Sequence, residues 1–283
     1  MESKILTFLT VCQTMNYRKA AEILHLTQPA VTKQIQSLEQ SFQGRLFIYD
    51  GHLLHKTENG ILLEQYAISM QYNYEELLLN MKKKKRSNIR IGATKTIGDY
   101  VLGPSLIQYL SVPEHELSLT VANTAALLSM LDQSELDFAI IEGTFSKTKY
   151  GHYLFRNEPF VGACSIHNPL CGQTVPIDAI TGNTLIIREK GSGTRSILNT
   201  RLEQYGYHLS DFDRMIPISS FLAIKQLVQA DIGITFLYQS VIENVEGIGT
   251  FQIDHITVPH EFNVVYTKNS EAEKYAHLFV DEH

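Results

Sequence analysis

The stretch Thr27-Gln28-Pro29-Ala30-Val31-Thr32-Lys33-Gln34-Ile35-Gln36-Ser37-Leu38 combines side chains able to read a polar surface with a regular apolar repeat. Val31, Ile35 and Leu38 recur at four and three residues, so they share one helix face and seek a core. Gln28, Ala30, Thr32, Lys33 and Gln36 then lie on or near the outer face. A glutamine amide can bond a base edge in bidentate fashion, Pro29 and Ala30 can touch a thymine methyl, Thr32 suits groove or phosphate, and Lys33 neutralises phosphate. Thr27 is a natural N-cap, and Pro29 in the first turn forfeits no intrahelical bond. A short helix over 18–25, beginning at Arg18 and containing Ala20, Ala21, Ile23 and Leu24, precedes it across a tight turn. Two helices so joined form a helix-turn-helix, and the chemistry of the second one is that of contact with double-stranded DNA.

A second concentration of polar groups lies at Thr94-Lys95-Thr96-Ile97-Gly98-Asp99-Tyr100, where a strand gives way to a helix. Such a junction exposes backbone N–H groups at the positive end of a helix dipole, which suits an anion. The Thr94 and Thr96 hydroxyls add donors and Lys95 adds charge. Gly191-Ser192-Gly193-Thr194 opens another helix in a similar way. The alternative is that these are the turn and cap residues of any α/β fold. No Gly-x-x-x-x-Gly-Lys-Ser/Thr or Gly-x-Gly-x-x-Gly occurs in the expected place. His115, His152, His167, His208, His255 and His260 are dispersed, and no paired catalytic carboxylates or nucleophile elbow stand out. Neither an enzyme nor a metal or other cofactor is expected.

The elements that position these groups follow from periodicity. Residues 61–91 lack both proline and glycine and admit one long helix capped at Thr57. From 61 to 86 it would span about 39 Å. Its Leu63, Tyr66, Met70, Tyr74, Leu77 and Met81 form a seam at three- and four-residue spacing, wanting either a second copy of the helix or a surface of its own chain. The run Lys82 to Arg86 reads as a solvated end that opposes the helix dipole. Strands over 89–94, 117–122 and 137–141 alternate with helices over 97–110 and 124–133, which predicts a mainly parallel sheet. The alternation resumes with strands over 184–187 and 232–236 and helices over 194–204 and 221–230. Two α/β lobes result, with crossings expected around Phe160–Cys164 and Asn263–Thr267, and two crossings make a hinge.

Charge follows the same division. Residues 1–86 carry 11 Lys and Arg against 8 Asp and Glu, a net of +3, and the remainder carries 13 against 22, a net of −9. A basic leading unit can sit on phosphate while an acidic body stays clear of it. Hydrophobic residues make up 44% of the chain and charged ones 19%, with no run of the roughly 20 apolar residues that a membrane span needs. Cys12, Cys164 and Cys171 form no metal or disulfide pattern and fit a reducing cytoplasm.

Taken in order, Ala20-Ala21, Leu24, Thr27 to Thr32, Ile35, Leu38-Glu39, Leu46-Phe47, Thr57 and Gly60 resemble the DNA-binding signature of the LysR family of bacterial transcriptional regulators. The resemblance implies a winged helix-turn-helix over 1–57, a linker and dimerisation helix over 58–86 and an effector-binding domain over 87–283. That domain would consist of two Rossmann-like lobes, similar to type 2 periplasmic binding proteins. Lobe 1 would cover about 87–161 and 266–283, and lobe 2 about 162–265. Gln28, Pro29, Ala30, Thr32 and Lys33 fall on the family's contact positions, and 49–56 becomes a wing to which His52 and Lys56 bring charge. Two departures stand out: Gln43 replaces the family's usual Gly, and Tyr49 its usual Arg. Farther on, Ile91 to Thr94, Thr96 to Gly98, Asn123-Thr124, Ile141 to Gly143 and Gly191 to Arg195 resemble the branch containing cysteine- and sulfur-metabolism regulators.

That second resemblance implies a cleft lined by Thr94, Lys95, Thr96, Asn123, Thr124, Glu142 and Gly143 from one lobe, and Arg188, Ser192, Gly193 and Thr194 from the other. A small anion, carboxylate or sulfur oxyanion would be the effector. For Arg188 and Arg195 a surface ion pair is the expected role. The partners implied are double-stranded DNA, the effector, a second copy of the chain as homodimer and homotetramer, and RNA polymerase; no membrane is expected. The competing class is a solute-binding protein, against which the leading 86 residues speak.

Overall fold

A computed structural model describes residues 3–51, 53–81 and 88–280. His52 and the run 82–86 lie outside the described residues.

The leading unit packs three helices and a two-stranded ribbon: α1 (Ser3–Thr14), α2 (Tyr17–Ile23), α3 (Gln28–Ser41), β1 (Phe47–Asp50) and β2 (Leu53–Lys56). Asn16 caps α2 by accepting from the Arg18 and Lys19 N–H groups at 2.9 and 3.0 Å. Phe8, Leu9, Ala20, Ala21, Val31, Ile35, Leu38, Leu46 and Phe47 form one buried cluster. Glu39, on α3, accepts from the Leu46 N–H at 2.8 Å and so fixes the entry to the ribbon.

The long helix α4 (Glu58–Met81) begins where Thr57 accepts from the Gly60 N–H at 3.0 Å, as the sequence predicts. Gly60 is required by close packing, since a Cβ there would stand 2.2 Å from the Leu46 carbonyl oxygen. The helix has two faces. Ala67 and Ile68 join the core of the leading unit. One turn on, Ser69 donates to the Lys268 carbonyl at 2.6 Å, Tyr72 to Asp137 at 2.7 Å, and Tyr275 donates to Glu76 at 2.7 Å. Asp137, fully buried, also accepts from the Arg90 N–H at 2.7 Å and pairs with its guanidinium at 2.9 Å. The opposite face is bare: Tyr66, Met70, Tyr74, Leu77 and Met81 are 43–73% exposed, and within the expected seam only Leu63 is half-buried. The chain's own surface therefore does not absorb the seam.

Beyond it, β3 (Asn88–Ala93), α5 (Lys95–Tyr100), α6 (Gly103–Leu110), β4 (Glu116–Val121), α7 (Thr124–Asp132), β5 (Phe138–Ile141) and β6 (Tyr150–Glu158) build most of a first sheet. The single helix expected over 97–110 is two, because Pro104 has no N–H to continue a helix and instead sits in the first turn of α6. The chain then crosses at Pro159 into β7 (Phe160–Ser165), β8 (Thr184–Arg188), α8 (Gly193–Gln204), β9 (Arg214–Ile218), α9 (Phe221–Gln229), β10 (Thr235–Tyr238), α10 (Gln239–Ile242) and β11 (Ile248–Phe251). It returns through β12 (His260–Thr267) to α11 (Ala272–Val280).

The first sheet has the order β4-β3-β5-β12-β6. Its first three strands are parallel, whereas β12 runs antiparallel to both β5 and β6, so the sheet is mixed rather than mainly parallel. In the second lobe β7 lies between antiparallel β10 and β11, and parallel β8 and β9 join them through a bridge at Leu185–Ile234. Because β12 is hydrogen-bonded into the first sheet from His260 onward, the second crossing precedes residue 260. The segment 263–267, expected to cross, and residues 260–265, assigned to lobe 2, belong to the first sheet. At that crossing Arg201, from α8, donates to the carbonyls of Ile256, Val258 and Pro259 at 2.7, 2.8 and 3.2 Å, with its guanidinium 5.0 Å from the Phe160 ring at the other crossing.

Candidate DNA interface and ligand cleft

The outer side of α3 is free. Val31, Ile35 and Leu38 are at most 3% exposed, while Gln28, Pro29, Lys33 and Gln36 are exposed and Ala30 and Thr32 half-buried. Thr27 Oγ1 accepts from the Ala30 N–H at 3.4 Å, and Thr32 Oγ1 donates to the Gln28 carbonyl at 3.0 Å. Arg18 lies at the start of α2, its side chain 86% exposed and 3.4 Å from Glu22. The wing differs from expectation. Lys56 turns inward to Glu64 at 2.6 Å, which neutralises the charge assigned to it. Ile48, Tyr49 and Leu53 are large apolar side chains that the ribbon exposes, at 50–68%, together with Asp50 and His55. Burial does not alternate along β1, where Ile48, Tyr49 and Asp50 are all exposed, so no sequence pattern announces these side chains.

Between the lobes lies a cleft of about 300 Å³. Thr94, Lys95, Asn123, Thr124 and Glu142 line it from one side, and Arg188, Ser192 and Gly193 from the other. Val121, Ala122, Glu189, Lys190 and Gly191 complete the lining and were not expected; Gly191, at φ +90°, makes the turn that brings this loop to the cleft. Three further expected residues stand outside the lining. Thr96 and Thr194 are buried, at 0 and 2% exposure, and Gly143 packs on Thr124, whose hydroxyl would be 2.4 Å from a Cβ at that position.

Several of these side chains already have partners. Asn123 caps α7 by accepting from the Ala126 N–H at 2.9 Å. Lys95 reaches across to donate to the Ser219 carbonyl at 2.9 Å. Arg188 corrects the expectation of a surface ion pair: it is 4% exposed, bonds both Glu189 oxygens at 2.8 and 3.0 Å, and stacks 4.1 Å from the centre of the Phe221 ring. Arg195 donates to the Arg188 carbonyl at 3.1 Å.

Others have none. Among the described residues, the hydroxyls of Thr94, Thr96 and Thr194 and Oε2 of Glu142 are buried with no partner in hydrogen-bond geometry. Buried polar atoms are ordinarily satisfied, so such a group gathered around a cleft is fitted to something that enters it. Ser192 caps α8 with no side-chain bond, which leaves the first N–H groups of that twelve-residue helix for a ligand. Burial raises the Glu142 carboxyl to about 7 against the opposing effects of the Thr96 hydroxyl and the Arg188 guanidinium. Among the described residues no helix is long and apolar enough to cross a membrane.

Comparison with known proteins finds two family matches along the chain. Residues 3–61 match the model "Bacterial regulatory helix-turn-helix protein, lysR family", and residues 82–282 match "LysR substrate binding domain". The HTH-type transcriptional regulator CysL of Bacillus subtilis is 27% identical over 97% of this chain and 93% of its own length. Among solved structures, a Corynebacterium glutamicum OxyR C206 mutant superposes with a TM-score of 0.61 at 20% identity, covering 98% of this chain and 88% of that one. The Synechocystis PCC6803 CcmR regulatory domain in complex with 2-PG gives a TM-score of 0.61 at 21% identity, over 69% of this chain and 96% of that one.

Proposed function

The chain belongs to the LysR family of transcriptional regulators, and from that premise we propose that it reads DNA through Gln28, Pro29, Ala30, Thr32, Lys33 and Gln36 and senses a small oxyanion between its lobes. The observation that carries the DNA part is the two-sidedness of α3: its apolar row is buried, and the polar row opposite is open to a major groove. Thr27 and Arg18 flank that row and supply phosphate contacts. The bare seam of α4 serves as the dimer contact, which sets two copies of α3 side by side. Dimers pair further into a tetramer, and RNA polymerase is the machinery addressed. A cytoplasmic location follows from access to DNA.

For the cleft, the unpartnered hydroxyls and the open N-terminus of α8 favour an anion of a few heavy atoms. That a regulatory domain of like fold was solved with 2-PG agrees with a small ligand. Its effect on DNA arises from unequal affinity for the open and closed arrangements of the lobes. The test is a variant carrying Thr32→Ala and Lys33→Ala. It retains the wild-type melting temperature and loses discrimination between a selected duplex and a scrambled one in a competition assay. A folded variant that still discriminates refutes the assignment of α3.

A further inference from the structure

Glu142 is an odd member of an anion site. It lies at the end of β5, is 4% exposed, and extends across the cleft until its carboxyl stands 3.0 Å from where a Cβ on Gly193 would be, at the start of α8. Gly193 is thus the residue that leaves room for it. An ionised carboxylate in that place would repel an incoming anion, and burial makes its charge costly beyond the support that Thr96 and Arg188 give it. Oε2 has no partner in hydrogen-bond geometry, and Arg188, which favours the ionised form, is itself engaged by Glu189.

We propose that Glu142 enters the effector complex in its acid form, donating a hydrogen bond to the bound oxyanion, so that the cleft takes up one anion together with one proton. This rests on the reading of the cleft as an anion site. The Thr94 hydroxyl, which lines the cleft, and the first N–H groups of α8 then complete a set of neutral donors, and the negative charge is held by hydrogen bonds and the α8 dipole rather than by a salt bridge.

The groups around Glu142 leave it as the one that changes state near neutrality. From β8 comes Arg188, and from α5 come Lys95, engaged with the Ser219 carbonyl, and the Thr96 hydroxyl. From β10 comes the phenol of Tyr238, which burial holds well above its ordinary value and therefore neutral. From β12 comes His260, whose Nε2 meets the Glu142 carbonyl oxygen at 2.7 Å; burial holds it below its ordinary value, so it is uncharged where Glu142 titrates. Burial raises Glu142 itself to about 7. A carboxyl raised in this way is acid below that point and ionised above it, so anion affinity is full on the acid side and declines as pH rises.

Sulfate and acetate are suitable probes because neither changes charge between about pH 6 and about pH 8.5. Binding to the full chain is followed by thermal shift and calorimetry. The expected result is an affinity that falls by about tenfold per pH unit above neutrality in the wild type. Calorimetry of the wild type in buffers of differing ionisation heat should register close to one proton taken up per anion at the alkaline end. In Glu142→Gln, whose amide donates without titrating, binding persists and its pH dependence is flat. An affinity that is flat or rises with pH in the wild type, or no proton uptake, overturns the proposal while leaving an anion site. Failure of both probes to bind at any pH removes the anion site and the proposal with it.

Discussion

Gln43, just past the C-cap of α3, holds a left-handed backbone with φ +52°, at the position where the family resemblance leads one to expect glycine. A side chain in that conformation costs about 1 kcal/mol relative to glycine, part of which glycine returns through its freer unfolded chain. Gln43→Gly is therefore expected to raise stability by about 0.5 kcal/mol, read as a higher urea midpoint with an unchanged slope. A lower midpoint would mean that the glutamine side chain makes a compensating contact. Residue types announced much of the cleft: Thr94, Lys95, Asn123, Thr124, Glu142, Ser192 and Gly193 all line it. What they did not announce was pairing. Glu189 is the next residue after Arg188, and Glu64 lies only a short way beyond Lys56, yet whether such side chains turn toward each other is set by the local backbone, and a charge read in sequence carries no record of whether it is already answered.

At the scale of elements, helices with a strong apolar period were legible and shielded breaks were not. The α4 seam could be read from spacing alone, but whether it is covered could not, since burial of Ala67, Ile68 and Tyr72 on the neighbouring face leaves the same helix half docked and half bare. Substituting Met70→Lys together with Leu77→Lys puts two charges on the bare face and leaves the docked one untouched. Sedimentation equilibrium should show the wild type as dimer or higher and this variant as a folded monomer; a variant that stays associated places the contact elsewhere. Strand β6 went unread because its side chains are mostly half-exposed without regular alternation, and β9 because Arg214, Met215 and Pro217 are exposed and a proline argues against a strand. Helix α11 did carry a signal, in Ala272, Ala276 and Phe279 at four- and three-residue spacing, that was passed over. The misplaced second crossing has a physical cause too: β12 is buried on both faces, so its apolar run looks the same in either lobe.

For the whole molecule, the arrangement joins three parts by specific bonds. The leading unit holds the earlier turns of α4, and lobe 1 holds its later turns through Asp137, Tyr275 and Lys268. Lobe 2 is tied to lobe 1 at the crossings, where Arg201 binds three carbonyls of one and stacks on Phe160 of the other. On the proposed reading a ligand that bridges Glu142 and α8 would act across those same crossings, and α4, which packs on both the leading unit and lobe 1, is the element that joins the cleft's first wall to α3. The central claim is that paired copies of α3 read a duplex, and it is tested most directly by selecting bound duplexes from a random pool with the full-length protein. The recovered sequences are expected to share two inverted half-sites, with centres about 34–36 Å or a multiple of that apart, and protection from cleavage should fall on those half-sites. Recovery of unrelated sequences, or of a lone half-site protected by a single copy, would contradict it.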